Sequence, residues 1–115
     1  MTTNLTDALL SGAAIGQPVR ELERRVLSSP RPCTARPEDW FAEEPDARSG
    51  RAREIYEALA RALCRGCPVA SECLELAIQR EGARPGFGVV GGVASWQRQD
   101  IKRGRGWSVP RRGGR

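Results

Sequence analysis

A chain of 115 residues with three tryptophans, two phenylalanines, one tyrosine and no histidine can build one small core, and histidine-based catalysis or metal ligation is excluded. The formal charge of +5 and pI near 9.7 point to a polyanionic partner, and the charge is polarised: residues 1–82 hold eleven basic and thirteen acidic side chains, the stretch after Gly82 eight basic and one acidic. No apolar run approaches a membrane span and the start, MTTNLTDALLSGAAIG, has no secretory pattern, so the expected setting is the cytoplasm, where structural disulfides are disfavoured.

In chain order, residues 1–30 read as a variable N-terminal arm with no assigned role. Within it Pro18 suits a first helical turn and Leu22 and Val26 stand four apart, so a short helix over 19–27 is expected. Pro30 and Pro32 break it just before Cys33. Residues 34–50 form a loop or short helix around Asp39-Trp40-Phe41, with Glu43, Glu44 and Asp46 as a solvated acidic stretch. A helix is expected over 51–63, with Ile55, Leu59 and Leu63 or Ala62 on the core face. Gly66 suits a left-handed cap after it. A second helix starts at Pro68 and ends at Gly82, with Val69, Cys73, Leu76, Ala77 and Arg80 on one face. A glycine-rich turn over 85–92 leads to a third helix over 93–102. From Arg103 the Gly, Arg and Pro content predicts disorder. The expected domains are the arm 1–30, a cysteine body 31–102 and a basic tail 103–115.

Cys33, Cys64, Cys67 and Cys73 follow the pattern C-x30-C-x2-C-x5-C. Cytoplasmic thiols clustered in this way point to metal binding or redox chemistry. The body from Cys33 to Gly92 has only Trp40, Phe41, Tyr56 and Phe87 as aromatics, and a core that small needs a staple. Cys64 and Cys67 flank a helix–helix corner, with Cys67 at the expected N-cap of the second helix, where the helix dipole favours a thiolate. Cys73 lies six residues on, about 9 Å along a regular axis, a span that strains a single small ion and suits a larger cluster. All-thiolate ligation admits iron–sulfur clusters and zinc, but structural zinc sites show two short paired knuckles and only one such pair is present. The spacing therefore favours an iron–sulfur cluster. Its rivals are a zinc-stapled DNA-binding module without redox sensing and, further behind, a C-x-x-C protein disulfide reductase. No thioredoxin-like βαβ pattern and no nucleophile–base pair accompanies the cysteines, so an enzyme is not expected. Arg61 and Arg65 lie close by, where a guanidinium would stabilise an anionic centre, or they are ordinary exposed helix arginines.

A lone cysteine followed by Asp39-Trp40-Phe41, then Cys64-Arg65-Gly66-Cys67-Pro68-Val69, then Cys73, then Gly88-Val89-Val90-Gly91-Gly92 and a basic tail resembles the WhiB-like family of actinobacterial iron–sulfur transcription regulators. The resemblance covers about residues 33–105. It implies a [4Fe-4S] cluster carried by Cys33, Cys64, Cys67 and Cys73. It also implies a redox- or nitric-oxide-responsive regulator that binds the C-terminal promoter-recognition domain of a primary sigma factor and touches DNA through its tail. The family turn is usually G-[VI]-W-G-G; here Val90 replaces a tryptophan that normally helps form the surface meeting the sigma factor. Partner contact is accordingly assigned to Phe87, Gly88, Val89, Val90, Gly91 and Gly92, with Trp40 and Trp96 as aromatics able to supply the missing area.

Gly86 to Gly91 also matches G-x-G-x-x-G, but no strand precedes it and no βαβ unit surrounds it, so dinucleotide binding is rejected in favour of a glycine turn. Lys102, Arg103, Arg105, Arg111, Arg112 and Arg115 are assigned to DNA, as flexible cations that neutralise phosphates and enter a narrow minor groove. Arg103-Gly104-Arg105 is similar to an AT-hook core, but Gly106 stands where that motif has proline, which favours phosphate contact over selective reading. The expected molecule is a small all-α bundle of three or four short helices around the cluster, monomeric on its own, with a flexible basic tail.

Overall fold

The computed structural model describes residues 14–46 and 48–109. Five α-helices carry them: α1 Val19–Leu27, α2 Pro37–Trp40, α3 Gly50–Leu63, α4 Ala70–Glu81 and α5 Ser95–Gly104, with a 3₁₀ turn at Pro32–Thr34. Among the described residues there is no strand, only an isolated bridge between Val90 and Val93. The fold is all-α, as the 3.6-residue periodicity implied.

α1 places Glu21 in its first turn and Arg24 and Arg25 in its last, the arrangement the helix dipole favours. Leu22 and Val26 are buried and pack with Ala14, Val69 and Leu76. From Ala14 on, the described part of the arm packs against the body, because its apolar stripe has a partner face on α4.

α3 starts at a serine cap, where Ser49 Oγ accepts from the Ala52 N–H at 3.3 Å. Its buried face is not the expected one. Ile55 and Leu59 are 60% and 46% exposed, while Tyr56 and Ala60 are buried. Both faces carry an i, i+4 pair, and the aromatic one wins. Tyr56 packs against Trp96 with centroids 5.2 Å apart, and its hydroxyl donates to the Ala42 carbonyl.

α4 begins at Ala70 behind Val69, since Pro68 and Val69 form a separate turn. Cys67 therefore precedes the helix and is not its cap. α4 is buried on two sides: Leu76 joins the cluster with α1, while Leu74 and Ile78 pack with Val93 and Ile101. α5 starts where the Gln97 side chain accepts from the Ala94 N–H at 2.9 Å. Order continues past Arg103. Arg105 forks onto the buried Glu75 at 2.6 and 3.0 Å, and Trp107 packs against the Leu74–Ile78 cluster. Residues 110–115, the rest of the expected tail, lie outside the described residues.

Between α4 and α5 the chain makes a tight turn. Val90 and Val93 exchange both backbone hydrogen bonds at 3.1 Å. Gly91 and Gly92 have φ of +61° and +79°, the signs a type I′ turn requires. A Cβ on Gly91 would stand 2.6 Å from the Ala70 carbonyl oxygen, so the turn lies directly on the start of α4.

Candidate metal centre

Three segments deliver the four thiols. Cys33 sits in the 3₁₀ turn, which the Thr34 N–H and hydroxyl fasten to the Arg31 carbonyl at 3.2 and 2.8 Å. Cys64 is the C-cap of α3, and the Cys67 N–H donates back to its carbonyl at 3.1 Å, a reversal that Gly66 permits with φ of +79°. Cys73 lies in the first turn of α4, its N–H bonded to the Val69 carbonyl at 2.8 Å. All four are half-buried free thiols.

They line one cavity of about 480 Å³, whose other walls are largely apolar and include Trp40, Phe41, Val89 and Val90. One water takes about 30 Å³ of liquid, so the space far exceeds a single ion. Among the described residues no group of three or more Cys, Asp or Glu side chains is arranged to hold one metal ion. A lone zinc ion needs four sulfurs at about 2.3 Å from a common point. An all-cysteine donor set lining a cavity of this size is compatible with an iron–sulfur cluster.

The electrostatics agree. Burial, and then the neighbouring Cys33, Cys64 and Cys67, push the Cys73 thiol up to about 11, with Arg31 pulling the other way. Burial also raises Cys64; a hydrogen bond from Trp40 and one from the Gly92 backbone oppose it. The Trp40 Nε1–H donates to Cys64 Sγ at 3.2 Å. Four thiolates could share this apolar space only with positive charge among them, which a bound metal centre would supply.

The glycine turn closes the site from above. The Val89 N–H donates to the Trp40 carbonyl at 2.7 Å, and the Gly88 N–H to Glu44 Oε2 at 2.9 Å. A Cβ on Gly88 would meet Phe41 Cδ1 at 2.6 Å, so only glycine lets the turn pass the Asp39-Trp40-Phe41 segment so closely.

Several expected contact residues are placed elsewhere. Trp40 and Trp96 are 7% and 3% exposed and belong to one core cluster with Tyr56 and Val89, so neither tryptophan offers the surface assigned to it. Val89, Gly88, Gly91 and Gly92 are buried. Phe87 is exposed and Val90 half-buried; exposed Phe41, which was not assigned to a partner, joins them along a groove beside the thiol cavity.

The basic residues divide in the same way. Lys102 is fully buried, its Nζ donating to Glu81 and Gln99 at 2.9 Å and to the Arg84 carbonyl at 3.1 Å, so it is not part of a solvent-facing tail. Arg105 is held by Glu75, and Arg103 pairs with Asp100 at 2.6 Å. Arg111, Arg112 and Arg115 lie outside the described residues. Arg61 and Arg65 line a second pocket behind Cys64 and Cys67.

Sequence reasoning missed Arg98. It is fully buried, bonds Glu81 at 2.9 Å and reaches the Phe87, Gly88 and Val93 carbonyls at 3.2, 3.0 and 2.8 Å, which pins both ends of the glycine turn. It also missed Arg31, whose only signal was its place two residues before Cys33.

No curated protein and no solved structure matches the chain. One family model does, over residues 30–101: Transcription factor WhiB. That span takes in all four thiols, the Asp39-Trp40-Phe41 segment, the glycine turn and most of α5, and on it the chain belongs to the WhiB family of transcription factors.

Proposed function

We propose that this transcription factor holds a [4Fe-4S] cluster on Cys33, Cys64, Cys67 and Cys73, docks the C-terminal domain of a primary sigma factor, and works in the cytoplasm at promoter DNA, as a non-enzymatic, redox- or nitric-oxide-responsive regulator. The observation that carries the reading is the convergence of four free thiols from three segments on one apolar cavity of about 480 Å³. When bound, the cluster supplies a redox- and nitric-oxide-sensitive cross-link among these thiolates.

The chain's own residues do the rest. Trp40 and Val89 exclude water from the thiols, and the Trp40 indole N–H orients Cys64. Cys33 hangs on a three-residue 3₁₀ turn, whereas Cys64 and Cys73 are attached to helices of 14 and 12 residues. Its segment is the one freed first when ligation is lost. Phe41, Phe87 and Val90 give the sigma factor an apolar docking groove next to the cavity. DNA contact falls to Arg111, Arg112 and Arg115, since Lys102 and Arg105 serve the interior.

The test is anaerobic co-expression with a tagged primary sigma factor, followed by an absorption spectrum and iron, sulfide and zinc analysis of the co-purified material. A coloured complex containing iron and sulfide is expected. A colourless protein containing zinc would establish the zinc-stapled reading in its place, and coloured protein that ignores the sigma factor would remove the docking step.

A further inference from the structure

The geometry points to Arg31 as the cation that sets the charge balance of the thiol centre: its guanidinium, held at the cavity wall, stabilises the more negative state of whatever metal group the four cysteines hold. The inference rests on the cluster reading above and goes beyond it by assigning a positioning residue and its effect on potential.

Three observations carry it. Arg31 lines the thiol cavity, and it also lines the neighbouring groove; Phe41, Cys73 and Val90 are shared by the same two spaces, so Arg31 stands on the partition between them. Its Nε is buried without a hydrogen-bond partner, an N–H donor kept from water with nothing among the described residues to receive it. Every carboxylate within that groove is already engaged: Glu23 by Arg80, and Glu81 by both Arg98 and Lys102. The nearby Glu38 and Asp39 pair with Arg36. A guanidinium whose buried Nε–H has no acceptor, standing beside four cysteine sulfurs, has one natural counter-charge, the anionic centre those sulfurs would form with metal.

The backbone explains why the side chain stays there. Arg31 is the N-cap of the 3₁₀ turn, extended at φ −137° and ψ 136°, and its carbonyl receives both Thr34 bonds. Arg31 and Cys33 are thus mounted on the same short turn. Arg61 and Arg65 line, together with Cys64 and Cys67, a pocket that Arg31 does not line. They are more exposed than Arg31, where water screens their charge.

The experiment compares Arg31→Gln, Arg31→Lys, Arg61→Gln and Arg65→Gln with the parent protein. All are purified anaerobically, assayed for iron and sulfide, and titrated with dithionite and mediators for one-electron reduction. Removing a cation from a poorly solvated site disfavours the added negative charge. Arg31→Gln is expected to lower the reduction equilibrium constant about tenfold, which is ~59 mV for one electron. Arg31→Lys should recover most of the loss, and the other two arginine variants should each move it by less. An unchanged potential in fully loaded Arg31→Gln protein overturns the inference, as does an equal shift in all three glutamine variants. Parent protein without iron and sulfide overturns the cluster reading and this inference together, a result separable from the first two by the metal analysis.

Discussion

Two glycines near the thiols differ in how closely the backbone around them is packed. Gly91 and Gly66 both have positive φ, but only at Gly91 would an added Cβ meet neighbours, the Ala70 carbonyl oxygen at 2.6 Å and Leu74 Cβ at 2.7 Å. Gly66→Ala pays backbone strain alone and Gly91→Ala pays strain plus a clash against α4. Urea unfolding should show about 1 kcal/mol lost for the first and at least about 2–3 kcal/mol for the second. Equal losses would mean the turn does not sit on α4. Trp40→Phe keeps the ring and deletes the N–H that reaches Cys64 at 3.2 Å. Its effect on stability should stay within about 1.5 kcal/mol, while the visible absorption of the loaded protein should bleach several-fold faster in air. At this scale the gathering of the four thiols on one cavity was legible, because cysteine spacing is a property of the chain. Trp40, Trp96 and Lys102 were misplaced because composition does not say which way an aromatic or a cation turns once a partner is available. Trp96 turned inward to Tyr56 and to a hydrogen bond with Glu57, and Lys102 to Glu81.

At the scale of helices, the sequence carried the periods and missed a phase. α1 runs over the expected residues because Pro18, Leu22 and Val26 leave little choice. On α3 the Ile55–Leu59 stripe and the Tyr56–Ala60 stripe are both periodic, and the choice was made by Trp96 from a helix about forty residues away, which no local pattern contains. The same long-range logic ties α4 to α5. Glu81 at the end of α4 is the shared carboxylate of Arg98 and Lys102, both with fully buried side chains, and Arg98 uses its remaining donors on the glycine turn. Glu81→Gln leaves two interior cations without their counter-charge. The expected loss is on the order of 3–5 kcal/mol, or failure to accumulate folded protein. Glu23→Gln, which breaks only the exposed pair with Arg80, should cost under about 1 kcal/mol. A loss below 1 kcal/mol in Glu81→Gln would mean that the cations escape to water and the turn is held by other means.

At the scale of the whole molecule, the hydrophobic interior of the described residues falls into three small clusters. Cys33 and Cys64 pack against the cluster of Trp40, Tyr56 and Trp96, whereas Cys67 and Cys73 pack against the one that α1 forms with Leu76. A centre bound to all four would join two cores that are each too small to be stable alone. Chelation under anaerobic conditions should therefore lower the unfolding free energy by several kcal/mol and erase near-ultraviolet ellipticity, with Cys33→Ser reproducing much of the effect. Retained cooperative unfolding at the original midpoint would show that the clusters hold without metal. The outer surface is governed by a different force. Of the basic residues first assigned to DNA, Lys102 and Arg105 neutralise interior carboxylates and Arg103 is paired with Asp100, so the arginines left for phosphate are Arg111, Arg112 and Arg115. Truncation after Val109 removes all three and leaves α5 and Trp107 in place. Each phosphate contact contributes about 0.9 to the slope of log affinity against log salt, so the truncated protein should bind duplex DNA more weakly at about 50 mM salt and show a slope shallower by about 2–3. Fluorescence anisotropy across about 50–200 mM salt measures both quantities. An unaltered slope would move the DNA-facing charge back onto the helical body, where Arg61 and Arg65 would be the next residues to change.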